Sequence, residues 1–280
     1  MPYLPDELPK AKVLITVKTY PLPSHSYVEL VCTAGLLDGE KWIRIYPVPF
    51  RFLQDNQQYQ KFNWVELDLK RRTKDFRPES YRPKMGIDEN IKVISKEGTA
   101  DEWYDRKKYV LQEVFTSFDE LIGLAKGTEK KSLATIKPKE IIDFKWDAED
   151  REWKKEWIDQ RKQLSFFDKV TQTKAGQKPT VAKVPYKFSY KFLADGDKKS
   201  HEMMIEDWEI GALFWNCLRR TDGDEIAALE LVKQKYLYEF SQKDLYFFVG
   251  TTFKFHNVAP NPFVIIGVFY PPKSQQPRLL

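Results

Sequence analysis

The segment FNWVELDLKRR, residues 62–72, alternates strictly. Trp64, Glu66, Asp68 and Lys70 fall on one side of an extended chain, and Val65, Leu67 and Leu69 on the other. Such a segment is a half-buried strand and cannot satisfy a helical period. Four further segments of the first hundred residues share the signature: KVLITVKTY, YVELVCTAGLL, KWIRIYPVPF and ENIKVISKEG. Turn chemistry separates them, including Asp38-Gly39 in DGEK. Five short strands joined by turns predict a small barrel or a strongly bent sheet.

Beyond residue 100 the period changes. DEWYDRKKYVLQEVFTSFDELIGLAK and DAEDREWKKEWIDQRKQLSFF read as helices, with Trp146, Trp153 and Trp157 on one stripe. LATIKPKEIIDFKW reads as irregular or strand. YKFSYKFLAD is an alternating strand. A helix is expected to begin near Glu206 or Asp207, and a second after Asp222 and Asp224. LYFFVGTTFKFH and FVIIGVFYPP close the chain as two strands. The fold class expected is α+β. It divides into a β-rich barrel-like domain (1–100), a helical segment (101–167), a basic linker (168–185) and a C-terminal half (186–280) of mixed strands and helices.

Composition narrows the function classes. With 280 residues, 42% of them hydrophobic, the chain can bury a sizeable core. Two cysteines, Cys32 and Cys217, both in apolar runs, make neither a disulfide framework nor a zinc site. The N-terminus lacks an apolar signal core, and no run reaches the length of a membrane span. A soluble cytoplasmic protein is expected. There is no glycine-rich phosphate loop and no nucleophile elbow, so no cofactor is expected.

The charge is unevenly spread. Seven basic residues lie between Lys70 and Lys84 with two acids, a local surplus equal to the +5 of the whole chain. Arg71, Arg72, Lys74, Arg77 and Arg82 are candidate phosphate contacts, and Phe76 and Tyr81 are interleaved as candidate stacking groups. DNA is the expected partner.

Three constellations could carry chemistry. Glu66, Asp68 and Lys70 share a strand face, and their spacing resembles the Asp/Glu-x-Lys element of restriction-type nucleases, which implies a divalent metal. Glu206 and Asp207 stand at a helix entry beside Trp208, where an acid or base would have an aromatic wall. His256 and Asn261 lie in the connection HNVAPNPF between the last two strands. That block resembles the His-x-x-Pro loop of uracil-DNA glycosylases, where the histidine stabilises the departing base. The Gly-Gln-Asp-Pro-Tyr pattern of that family is absent. The longer stretches VELVCTAGLLDGEKWIRIYPVPFR, DFRPESYRP, IEDWEIGALFWN and GTTFKFHNVAPNPFVIIGVFYPP resemble an uncharacterised group of prokaryotic proteins. This resemblance implies a prokaryotic origin and a role against foreign DNA.

Three readings follow. In the first, a metal-independent glycosylase removes a modified base, with Asp207 or Glu206 as base or charge stabiliser and His256 as donor to the leaving group. In the second, a metal-dependent nuclease uses Glu66, Asp68 and Lys70. In the third, a non-catalytic module binds nucleic acid through its arginines.

Overall fold

The computed structural model describes residues 4–23, 29–84, 91–156 and 179–274. The alternating segments form the strands expected of them. These are β1 (Glu7–Lys18), a two-residue β2 (Leu22–Pro23), β3 (Glu29–Leu37), β4 (Lys41–Val48) and β5 (Asn63–Arg71). Asp38 and Gly39 both take left-handed φ values, 51° and 79°, which joins β3 to β4 by the turn that suits twisted strands.

The basic run holds the strand that completes the barrel, β6 (Ser80–Pro83). Neighbours follow the order β1-β3-β4-β6-β5, and β5 returns to pair with β1. All these pairs are antiparallel except β4 with β6, where Arg44 lies opposite Ser80. The sequence placed the fifth strand in ENIKVISKEG. That segment does form β7 (Lys92–Lys96), but it lies against β5 outside the closed circle. Numbered within the barrel, the order is 1-2-3-5-4-1, the arrangement of the OB-type Greek-key barrel.

The interior holds Val13, Ile15, Ile43, Ile45, Val65, Leu67, Leu69 and Tyr81. Tyr81 therefore serves the barrel core and not a ligand surface; its hydroxyl donates to the Pro5 carbonyl at 2.8 Å. Gly35 is needed where β3 meets β1, since a Cβ there would sit 2.2 Å from the Leu14 carbonyl oxygen.

The middle of the chain is helical only in part. Helices α1 (Ala100–Val110) and α2 (Phe118–Lys126) are separated by β8 (Val114–Phe115). Strands β9 (Leu133–Ile136) and β10 (Pro138–Ala148) follow. Trp146 lies in β10, so the tryptophan stripe is not a helical face. Trp153 instead donates its indole N–H to the Val181 carbonyl at 2.7 Å, and Trp157 lies outside the described residues, as does most of the basic linker. Next come β11 (Tyr186–Ala194), β12 (His201–Met204), α3 (Trp208–Arg220) and α4 (Glu225–Lys233). The chain closes with β13 (Tyr246–Thr251) and β14 (Phe263–Phe269). Asp207 and Asp224 cap α3 and α4, accepting from the backbone N–H groups of Glu209 and Ala227.

The β13–β14 hairpin is buried on both faces. Phe247, Val249 and Ile265 point into the C-terminal core around Phe118, Phe192 and Phe214. Phe248, Ile266 and Phe269 point at Leu14, Val17, Ala34 and Leu36 on the outside of the barrel. A strand buried on both sides has no use for polar residues, and this accounts for the nearly charge-free stretch after Asp244.

One buried cation pins this contact. Arg44, on the outer face of β4, donates to Ser132 Oγ at 2.9 Å, the Ser132 carbonyl at 3.2 Å, the Thr251 carbonyl at 3.3 Å and Ser80 Oγ at 3.3 Å. Arg77 donates to the same Thr251 carbonyl at 2.5 Å and makes a bidentate pair with Asp75. Glu79 receives the Ser132 N–H at 2.9 Å and its hydroxyl at 2.8 Å. Removing Arg44 leaves the buried acceptors on Ser80, Ser132 and Thr251 without their cationic donor. Arg44→Met should lower stability by about 3–5 kcal/mol in urea unfolding, at about 1–3 kcal/mol for each buried group left unpaired. A loss under about 1 kcal/mol, the range of ordinary surface changes, would show that the network is dispensable.

Candidate functional site

His256 sits in the turn between β13 and β14, and it is fully buried. Its Nε2 lies 2.8 Å from the Ala125 carbonyl, which can only accept, so Nε2 carries the proton. Its Nδ1 then accepts from Thr251 Oγ1 at 2.7 Å. Burial, with the charges of Arg77, Lys130 and Arg44, holds its pKa below the usual value. Both nitrogens are occupied and the ring is neutral, so His256 ties the turn to α2 instead of facing a ligand. Asn261 has a similar duty: its Oδ1 accepts from the Phe263 N–H at 3.0 Å and sets the return into β14.

The surface above His256 is unusual. Phe76, Phe253 and Phe255 are 42%, 52% and 48% exposed. Phe76 and Phe253 have ring centroids 5.4 Å apart, and Phe76 stands edge-on to the His256 ring at 5.0 Å. The Arg77 guanidinium lies over Phe253 and the Lys254 ammonium over Phe255. Exposed Lys74 precedes Phe76 by two residues, and Arg72 lies over the Tyr46 ring at 4.8 Å. The loop between β5 and β6 and the turn between β13 and β14 thus form one rim of exposed rings and cations.

The basic run is divided by this geometry. Arg77 is buried in the network with Asp75, and Arg71 is held by Asp6, the Leu4 carbonyl and the Pro78 carbonyl. Lys74 and Arg82 remain exposed.

Asp207 belongs to a different place. The seven residues of β14, at about 3.3 Å each, put about 20 Å between the His256 turn and the Tyr270 end. Near that far end a cleft of about 320 Å3 is lined by Lys18, Lys61, Phe62, Lys96, Trp103, Arg106, Trp208, Glu209 and Tyr270. Asp207 lies beneath it, fully buried, with its Oδ2 2.7 Å from Lys61 Nζ. Lys61 is also 3.0 Å from Glu209. Burial pushes the Asp207 carboxyl up to about 6, with the Lys61 charge opposing and Glu209 adding to the rise. Since Asp207 is covered by Lys61, it acts on the cleft as that cation's counter-ion. Glu206 donates its N–H to the Ile265 carbonyl at 2.7 Å, in the middle of β14, and burial raises its carboxyl pKa.

Sequence reasoning missed this cleft because its residues come from six separate segments. One local sign marks it in the structure. Phe62 and Trp103, both lining residues, have left-handed φ values of 64° and 66°, as do Asp101 and Glu102 beside Trp103. Non-glycine residues held there cost of order 1–3 kcal/mol each and concentrate at functional sites.

Glu66, Asp68 and Lys70 do share a strand face, each engaged by a neighbour. Asp68 accepts the Lys10 N–H at 2.7 Å, Lys70 pairs with Glu7 at 3.3 Å, and Glu66 faces Lys92 at 3.9 Å. Among the described residues, the group spaced for a metal is Asp119, Asp197 and His201. There the Asp197 oxygens already serve Ser117, Phe118 N–H, Asp119 N–H and His201, which caps α2. A larger cleft of about 540 Å3 is lined by Glu40, Glu79, Glu113 and Glu129 against Lys41 and Lys131, a balance that disfavours a polyanion.

A family model described as Domain of unknown function (DUF8757) matches residues 114–280, more than half of the chain. The protein belongs to the DUF8757 family. A second model, Domain of unknown function (DUF8758), matches residues 9–112. The DUF8758 match takes in the barrel and α1, and the DUF8757 match begins at β8. The rim and the cleft each draw on both. No curated protein matches the chain. No helix among the described residues is long and apolar enough to cross a membrane.

The neutral, buried His256 has a signed consequence. Its folded pKa lies below the unfolded value near 6.5, so its stabilisation is present above about pH 6.5 and declines as pH falls. Asp207, raised to about 6, acts oppositely: the native state gains stability as pH falls from about 6 towards 4. The difference between wild type and His256→Gln isolates the histidine. It should be about 1–3 kcal/mol at pH 7.5 and shrink on acidification, followed by urea unfolding. A difference that does not change with pH would contradict the neutral, bonded ring.

Proposed function

We propose that this protein binds an unpaired nucleic-acid strand along the rim formed by the 72–79 loop and the 252–259 turn. One observation carries the reading: three phenylalanine side chains stay about half exposed, with cations over Phe253 and Phe255, a buried histidine edge-on to Phe76 and a buried arginine against Phe253. Exposed rings in a basic surface are stacking platforms, each worth about 1–3 kcal/mol per base, and they need bases that are not paired.

The barrel topology agrees with the location. OB-type barrels bind oligonucleotides on the face of their second and third strands and through the loop between the fourth and fifth. Here the face carrying Leu36, Trp42 and Arg44 is covered by β9, β13 and β14. The loop between the fourth and fifth barrel strands is the one that carries Arg72, Lys74 and Phe76. The covering hairpin adds Phe253, Lys254 and Phe255 beside it. Fold analogy alone does not assign function, and the rings supply the chemistry.

Base removal by Asp207 with His256 as donor has less behind it. The segment before Asp207 meets β14 at Ile265, in mid-strand, whereas His256 lies in the turn before that strand, and neither side chain is open to a ligand.

Binding of oligothymidine and oligouridine, followed by fluorescence anisotropy, tests the proposal. Phe253→Ala should weaken binding by about 1–3 kcal/mol, roughly 5- to 150-fold. Lys74→Gln should reduce the slope of log affinity against log salt by about 0.7. Affinity untouched by Phe253→Ala and Phe76→Ala, with both variants folded, would sink the reading.

A further inference from the structure

Lys18 ends β1 at the wall of the 320 Å3 cleft, with its side chain partly open. Its ammonium nitrogen lies 4.1 Å from the centroid of Phe50 and 5.1 Å from that of Trp208. Among the described residues its hydrogen bond is to a neutral acceptor, the Tyr59 carbonyl, at 3.1 Å. Asp207 and Glu209, the nearby carboxylates, are bonded to Lys61 instead. Lys61 therefore keeps its charge and presents it to Lys18. Lys18 and Lys61 share this partly apolar cleft, and among the described residues only Lys61 of the two is bonded to carboxylates. Burial, followed by the Lys61 charge, pushes the Lys18 amine down to about 8, with Glu209 and Asp207 partly opposing. A desolvated lysine beside a second cation is a standard way to keep an amine neutral and nucleophilic.

The rest of the cleft indicates what such an amine would meet. Arg106 lies over Phe62 and Trp103, at 4.2 and 5.0 Å, and donates to the Glu97 carbonyl. Lys96 bonds to a neutral amide oxygen of Gln60. Among the described residues neither cation has a carboxylate bonded to it, and an anionic group on a ligand would find both available.

We propose that Lys18 is a carbonyl-reactive amine, which forms an imine with an aldehyde or ketone carrying an anionic group that enters this cleft. The neutral nitrogen attacks the carbonyl carbon, and the carbon–oxygen π pair moves to oxygen, which takes up a proton. The resulting carbinolamine loses water as the carbon–nitrogen double bond forms. Overall, one amine and one carbonyl give one imine and one water, with the two amine hydrogens leaving in that water. The anionic carbonyl could be a free phosphorylated aldehyde or the open-chain sugar of an abasic site in a strand. The proposal stands on residues other than those of the rim.

The two sources can be told apart by reductive trapping. Purified full-length protein would be incubated at pH 8 with cyanoborohydride, in one arm with glyceraldehyde 3-phosphate and in the other with an oligonucleotide bearing one abasic site. Peptide mapping then locates the adduct. At pH 8 about half of a lysine titrating near 8 is neutral, against less than about 1% of one near 10.4. Labelling of Lys18 should therefore exceed that of exposed Lys12 and Lys254 by about tenfold or more. An adduct in the first arm assigns a small ligand, one confined to the second assigns a strand, and either supports the proposal. Lys18→Arg keeps the cation and should remove the adduct without lowering Tm. Phe253→Ala should leave the small-aldehyde adduct intact, which separates this inference from the fate of the rim. Lys18 labelled no faster than Lys12 in both arms overturns it, and that comparison in wild-type protein holds whether or not Lys18→Arg folds.

Discussion

Two buried arginines hold this molecule together in one working arrangement. Arg44 leaves the outer face of the barrel and ends among Ser132 and Thr251. Arg77 leaves the loop before β6 and reaches the same carbonyl. Charges are expensive to bury, so the site must supply their acceptors completely. It does so with groups from both family-matched parts of the chain, and this makes their packing specific where apolar contact alone would allow sliding. The outer barrel face, with Leu14, Leu36 and Trp42, would otherwise be an open apolar patch.

That contact also decides where a ligand can go. Once β13 and β14 cover the second and third barrel strands, both faces of the hairpin are spent on packing. Polar and exposed aromatic groups are left to its two ends. At one end the 252–259 turn carries Phe253 and Phe255 above His256, and joins Phe76 from the barrel. At the other, Tyr270 meets Trp103, Trp208 and the lysines of the cleft. Each end combines rings with positive charge, yet they differ in kind. The rim is exposed and suits a strand passing over it. The cleft is recessed and holds ionisable groups whose protonation the surroundings have shifted.

The legible parts of the fold are those with a period. Residues 62–72 show β5 and its inward face because a strand buried on one side must alternate. The α3 and α4 starts are legible because Asp207 and Asp224 are capping residues ahead of apolar runs. The strand closing the barrel is not legible: β6 is four residues long, sits in a proline-containing basic run and sends only Tyr81 deep into the barrel core. Trp146 misleads for another reason. Its spacing to Trp153 is seven, which a helix would align, but residues 138–148 are an exposed-edged strand with mixed charge and weak alternation. His256 was visible as a polar group in an apolar context, though its role depends on Ala125, 131 residues away. The cleft has no local signature in the sequence, because Lys18, Lys61, Arg106 and Trp208 come together only after the barrel closes and the second half packs on it.

The central claim is that the covered barrel directs nucleic acid to the rim, away from the strand face such barrels ordinarily use. Ultraviolet cross-linking of bound oligothymidine, followed by mapping of the modified peptides, tests it most directly. The account predicts cross-links at Phe76, Phe253 and Phe255. Cross-links on β3 and β4, at Cys32 or Trp42, with none on the rim, would contradict it.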